Sequence, residues 1–239
     1  MSTVPGHDGF GPVTAQSLPR FRQVAAQRLQ AAWTQIPHVT HHEEADVTAA
    51  DAARRQRNAG SAGQKLTLLA YVARATVLAI EAHPAFCASL DPDGRTLWLK
   101  GYLNLGIAVE TPRGLVVAVV PAAGSHSVTD LGLAIGDLAA RGRAGTLKPT
   151  EVEGSCFTIS SLGNLGGVGF TPIINPPNVA ILGVAQARMR PEWIDGQVAP
   201  RLILPLSLSY DHRVIDGADA ARFCNTLRAA LAEPACLGD

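Results

Sequence analysis

At 239 residues the chain can bury a sizeable core as one large domain, and 47% hydrophobic against 17% charged residues suits a compact protein that hides surface in an oligomer. Lys plus Arg equals Asp plus Glu at 20 each, which leaves no electrostatic footprint for nucleic acid or an anionic membrane. The first residues lack a signal pattern and no apolar run approaches the roughly 18 residues of a membrane span, so a cytoplasmic protein is expected.

Residues 1 to 17 hold Pro5, Gly6, Gly9, Gly11 and Pro12 with little apolar periodicity, a linker composition that leaves 18 to 239 as the folded domain. From Pro19 to about Trp33, Phe21, Val24, Ala25, Leu29 and Ala32 recur at helical spacing until Pro37. Ile36 to Asp46 reads as a strand, followed by a helix near Thr48 with Asp51 three residues on as a weak capping box. A longer helix spans Thr67 to about Ala82, ahead of Pro84. Two strands are predicted at Arg95 to Lys100 and Leu103 to Glu110, and the β-branched run Leu115 to Val120 reads as a buried strand.

Ser127 and Asp130 stand at capping spacing ahead of a helix that ends near Arg143. Strands follow at Cys156 to Ser161, Asn178 to Gln186 and Arg201 to Tyr210, with Asp195-Gly196 as a hairpin turn between the last two. The last strand alternates, with Leu202, Leu204, Leu206, Leu208 and Tyr210 on one face and Ser207 and Ser209 on the other. A closing helix begins at Asp216-Gly217 and carries Phe223, Leu227 and Leu231 at fourfold spacing. Runs of strands separated by helices, without internal repeats, predict an α+β fold, a mixed-sheet α/β sandwich.

Chemistry concentrates in Tyr210-Asp-His-Arg-Val-Ile-Asp-Gly217, where a strand ends and a helix starts. An imidazole titrating near neutrality suits deprotonation of a thiol of pKa about 8.5, which makes His212 a candidate base; taken alone, the position also suits an ordinary strand-end histidine. Asp216 is placed to cap the last helix or to pair with an arginine and lock the loop. In Cys156-Phe-Thr-Ile-Ser-Ser-Leu-Gly163, Thr158 and Ser160 share a strand face, and Ser160 is a candidate oxyanion donor beside the plainer reading of a routine strand hydroxyl. It lacks the Gly-x-Ser-x-Gly elbow of a hydrolase nucleophile.

Gly163, Gly166, Gly167 and Gly169 lack the Lys-Ser/Thr pair of a phosphate loop and read as a turn permitting close backbone approach. His38 and His42 share a strand face while His41 points away, with no cysteine beside them, so no metal is expected. His38 stands as a candidate for the lining of a substrate channel. Cys87, Cys156, Cys224 and Cys236 form no Cys-x-x-Cys pair and read as buried small hydrophobes in a reducing compartment.

Five stretches together resemble the catalytic domain of the 2-oxoacid dehydrogenase acyltransferases, the family that includes dihydrolipoamide acetyltransferase. They are Ile36-Pro-His-Val-Thr40, Leu97 to Leu115, Phe157-Thr-Ile-Ser-Ser-Leu-Gly163, Asn178-Val-Ala-Ile-Leu-Gly183 and Leu204 to Gly217, in family order over about residues 10 to 233. Asp-His-Arg-x-x-Asp-Gly is the specific signature. The resemblance implies a chloramphenicol acetyltransferase-like fold and a homotrimer with active sites between subunits, in some members built into cubic or dodecahedral cores. It implies coenzyme A as a substrate, and an acyl group, acetyl foremost, moved to or from a dihydrolipoyl group carried on another domain or subunit. The decarboxylating dehydrogenase and dihydrolipoyl dehydrogenase components would be its partners. His212 would be the base, Ser160 the oxyanion donor from the neighbouring subunit, and Asp216 a structural partner of Arg28 in the first helix.

The chain departs from the family pattern at Ala122-Ala-Gly-Ser-His126 and at Ala235-Cys-Leu-Gly-Asp239, which lacks an apolar end for docking trimers into shells, so a lone trimer is also expected to be viable. Lys65, Lys100 and Lys148 are the only lysines and none follows an Asp in a turn, so no lipoyl domain is expected within the chain. A chloramphenicol-type O-acetyltransferase would carry His-His where this chain has Asp211-His212. A non-catalytic core scaffold would tolerate loss of His212.

Overall fold

A seven-stranded sheet organises the chain in the computed structural model, which describes residues 11–60, 63–112 and 114–238. In chain order the elements are α1 (Arg20–Gln35), β1 (His38–Asp46), α2 (Thr48–Ala59), α3 (Leu68–Ala82), β2 (Ala88–Leu90), β3 (Leu97–Leu99), β4 (Leu105–Thr111), β5 (Gly114–Val120), α4 (Val128–Ala144), β6 (Phe157–Ser161), β7 (Ala180–Val184), β8 (Arg188–Ile194), β9 (Gln197–Asp211) and α5 (Gly217–Ala232). The sheet runs β1-β9-β7-β6-β4-β5, with β8 hydrogen-bonded to the first half of β9. β6 is parallel to β4 and β7, and the other pairings are antiparallel. The fold is the expected mixed-sheet α+β sandwich.

Alternation along β9 sends Leu204, Leu206, Leu208 and Tyr210 into the main core, where they meet Phe157, Ile159 and Leu182 of the neighbouring strands. α3 and α5 cover this face, and α5 delivers Phe223, Leu227 and Leu231 to it fully buried. Phe223 stacks on Phe86 with ring centroids 4.2 Å apart and on Phe157 at 5.8 Å. The helix α4 starts with the expected capping box: Asp130 N–H donates to Ser127 Oγ at 3.1 Å and Ser127 N–H returns to the Asp130 carboxylate at 3.3 Å.

Several local expectations change. The first helix forms, but only Ala32 of its apolar stripe is buried, while Val24, Leu29 and Trp33 stay exposed, the Trp33 ring 5.2 Å from that of His38. Asp51 does not cap α2; it pairs with Arg54 and Arg55, while the Asp46 carboxylate takes the Thr48 N–H and hydroxyl. The run at β5 forms an edge strand with Leu115 69% exposed, and only its last three residues are buried. The Asp195-Gly196 turn, with φ of +50° and +80°, joins β8 to β9, so an extra strand lies between β7 and β9 in sequence. Cys236 is exposed, while the other three cysteines are buried. The expected linker falls in part on residues 1–10, outside the described residues; residues 11–19 have no regular structure.

Candidate active site

His212 follows β9 directly, and the turn that holds it is fastened at several points. Its N–H donates to the Pro37 carbonyl at 3.1 Å, and the N–H groups of Val214 and Ile215 both close on the Asp211 carbonyl at 3.0 Å. The Asp211 carboxylate, 2% exposed, accepts the Arg213 N–H at 3.0 Å and its guanidinium at 2.7 to 3.2 Å. A buried carboxylate thus clamps the residue after the histidine. The imidazole itself is exposed, with the Tyr210 ring 5.8 Å away, and its nitrogens have no hydrogen-bond partner among the described residues.

Asp216 caps α5, accepting the Asp219 N–H at 2.9 Å. That hydrogen bond, with a second from Ala218 and the nearby Arg222 charge, holds its carboxyl below the usual aspartate range. The expected pairing with Arg28 is not formed within the chain. Arg28 stands exposed on α1 without an ion pair among the described residues, and the cation acting on Asp216 is Arg222.

Ser160 lies on the sheet face away from the helices, in a row Ser160, Gly183, Ser207, His42 that crosses β6, β7, β9 and β1. The two hydroxyls expected to share this face have different surroundings: Thr158 Oγ1 is spent on the Asn178 amide at 2.9 Å, whereas Ser160 is half-buried with its hydroxyl uncommitted among the described residues. Residues 162–174 fold across the same face. Gly163, Gly166 and Gly167 take positive φ and so make the expected turn. The Phe170 ring lies on Gly183, where a Cβ would stand 2.9 Å from it, so a side chain at 183 would push Phe170 off the row beside Ser160.

His38 cannot act as a base at its end of the sheet. Its Nδ1 lies 2.8 Å from the Ile36 carbonyl, which needs a donor, and its Nε2 takes the Ile174 N–H at 3.0 Å, so both nitrogens are used. His42 Nδ1 contacts Ser207 Oγ at 3.0 Å. No group of three or more metal-ligating side chains occurs among the described residues.

Register separates the two candidate catalytic groups. Ser160 is level with Ser207, five residues before His212 on β9 and two strands over, so the backbones of Ser160 and His212 stand roughly 20 Å apart. One chain therefore holds the exposed imidazole and the uncommitted Ser160 hydroxyl far apart along the sheet. The Asp211 clamp and the Asn178 contact were not singled out by motif reading, although Asp211 stands in the signature itself.

Comparison with known proteins gives a family model, 2-oxoacid dehydrogenases acyltransferase (catalytic domain), that matches residues 11–238. The dihydrolipoyllysine-residue acetyltransferase component of the pyruvate dehydrogenase complex of Cupriavidus necator is 50% identical over 216 residues, 90% of this chain and 39% of that protein. The chain spans between about a third and just over half of the length of the curated relatives it matches. A solved structure of Azotobacter vinelandii dihydrolipoamide acetyltransferase superposes with TM-score 0.92 at 42% identity, covering 99% of both chains. It was solved to study the role of a serine, a histidine and an asparagine in that enzyme's catalytic mechanism, and their spacing along the chain is that of Ser160, His212 and Asp216 here. The cubic core of a pyruvate dehydrogenase multienzyme complex superposes equally well, with TM-score 0.92 and 42% identity over 99% of each chain. Chloramphenicol acetyltransferase, at 16% identity and TM-score 0.58 over 86% of this chain and 94% of that one, shares the fold alone.

Proposed function

The chain belongs to the 2-oxoacid dehydrogenase acyltransferase family, and from that membership we propose that it moves an acyl group, acetyl foremost, between coenzyme A and dihydrolipoamide, with His212 as base. His212 takes the proton of the attacking thiol, and the thiolate adds to the thioester carbonyl of the other substrate. The tetrahedral oxyanion accepts a hydrogen bond from the partner subunit's Ser160, then collapses; the departing thiolate recovers the proton from His212. One thioester replaces another, so alignment, a base and an oxyanion donor supply the catalysis. Asp211 and Arg213 aim the imidazole, and Asp216 fixes the start of the helix behind it.

The separation of His212 and Ser160 within one chain is the observation that carries this reading, and it extends to a homotrimer whose sites lie between subunits. The cubic core formed by a similar chain supports a larger assembly of such trimers. Lipoyl domains on other chains or segments would deliver the dihydrolipoyl group, with a decarboxylating dehydrogenase and a dihydrolipoyl dehydrogenase as partner components. The four free cysteines suit a reducing compartment, and the reading extends to the cytoplasm.

Complementation between two variants tests both the chemistry and the sharing. His212→Ala loses about 10²- to 10⁴-fold in turnover of acetyl-coenzyme A with free dihydrolipoamide, and Ser160→Ala about 10²-fold. Co-refolding the two variants restores about a quarter of wild-type activity, because random mixing pairs an intact histidine with an intact serine at that share of the interfaces. No recovery in mixed assemblies removes the shared site, and wild-type turnover in His212→Ala removes the base.

A further inference from the structure

Cys87 and Cys156 are distant in sequence and adjacent in the fold. Cys87 ends the 3-10 turn Pro84–Cys87, and Cys156 stands one residue before β6. Both sulfurs converge on one acceptor, the Tyr102 carbonyl oxygen, at 3.6 Å from Cys87 Sγ and 3.4 Å from Cys156 Sγ. Cys156 Sγ also accepts the Asn104 N–H at 3.4 Å. Both thiols are buried and lie against the backbone of Tyr102 and Asn104, in a segment without strand pairing whose Tyr102 side chain is exposed.

We propose that Cys87 and Cys156 form a redox modification site, a buried dithiol that hydrogen peroxide or a similarly small peroxide converts into an intrachain disulfide. Cys156 opens the reaction. The Cys87 S–H, the Asn104 N–H and the Lys100 ammonium all favour its thiolate against the cost of burial, lowering its pKa to about 6, while Cys87 is raised and keeps its proton. The Cys156 thiolate attacks one peroxide oxygen; the O–O bond breaks, hydroxide leaves and a sulfenic acid remains. The Cys87 sulfur then attacks the Cys156 sulfur. The S–O bond breaks, and the second oxygen leaves as water with the Cys87 proton. Two electrons pass from the two sulfurs to the peroxide, yielding one water and one hydroxide. The new bond ties the root of the β2–β3 hairpin to β6, the strand that carries Ser160.

The other two cysteines are internal controls. Burial pushes the Cys224 thiol up to about 12, and Cys236 is exposed without a thiol neighbour among the described residues. The experiment exposes the folded protein to hydrogen peroxide, alkylates remaining thiols after denaturation, and maps peptides without reduction. Free thiols fall from four to two, a peptide pair links Cys87 to Cys156, and dithiothreitol restores all thiols. In Cys236→Ser, a surface change, the Cys87–Cys156 link forms as before, and in Cys87→Ser, whose hydroxyl keeps a donor beside Cys156 but cannot form the disulfide, the Cys156 sulfenic acid accumulates and is captured by a cyclic dione. Oxidation confined to Cys236, or a disulfide between chains through Cys236 with Cys87 and Cys156 both still alkylated, overturns the proposal.

Discussion

From Ile203 to Asp211 the two faces of β9 are both buried, and they are buried by different physics. On the helix side, Leu204, Leu206, Leu208 and Tyr210 join an apolar cluster closed by α3 and α5. On the other, Ser207, Ser209 and Asp211 are equally inaccessible, yet their contacts are polar: Ser209 with Thr40 at 2.8 Å, Ser207 with His42, Asp211 with Arg213. Apolar packing is non-directional and fixes how much surface is hidden. Hydrogen bonds fix where atoms stand, and Ser160 lies on that side of the sheet, while the turn that presents His212 is fastened by Asp211.

Changes that load one face and spare the other sharpen that contrast. Phe223→Ala opens the apolar face between Phe86 and Phe157 and costs about 3 to 5 kcal/mol in a denaturant titration; a loss below 1 kcal/mol would deny α5 its part in the core. Asp211→Asn acts on the directional face: the Arg213 clamp loosens, and kcat for acyl transfer falls about 10²-fold with little change in KM for coenzyme A. A fall in thermal stability alone, with kcat intact, would reduce the clamp to a structural tie.

Ser209→Ala removes the partner of the half-buried Thr40 hydroxyl and costs about 1 kcal/mol, whereas the double change with Thr40→Val costs less than the two singles combined. Additive costs in that cycle would mean the pair does not interact. The smallest effect belongs to Asp216→Ala, at the exposed helix end. The Asp219 N–H holds this carboxyl below the ordinary aspartate value of about 3.9, so its contribution is complete above that value and vanishes as pH falls through the lowered one. Melting curves of variant and wild type therefore differ slightly at neutral pH and converge in strong acid; a gap that widens in acid would reverse the sign.

Much of this was legible because alternation and helical spacing report burial directly. The leucines of β9, the stripe of α5 and the Ser127 capping box were all visible in sequence. The missed strands have physical reasons. β2 is three residues with no alternation to read, and β8 holds Pro191 among Arg188, Arg190 and Glu192, a composition tolerated where only one neighbour is paired.

Strand order was not legible either, and strand order sets the distance between His212 and Ser160. The Asp216 cap was legible in its place ahead of Gly217, but spacing did not reveal that no pairing with Arg28 forms within the chain. Periodicity marked α1 as amphipathic without saying whether its stripe is covered within the chain. The adjacency of Cys87 and Cys156 is likewise a product of tertiary folding, with no short-range signature.

The length of β9 has a consequence for how such a chain can vary. Fifteen residues, paired with β8 as far as Ile203 and with β1 and β7 beyond it, form one unbroken ladder from the exposed Asp195-Gly196 turn to the threshold of His212. Substitutions along it are local events. A single inserted or deleted residue is not, because it would turn every leucine beyond it toward the serines' side and carry His212 about 3.3 Å along the strand axis. Lineages descending from this chain should therefore gain and lose residues at the Asp195-Gly196 turn, while the ladder itself keeps its count.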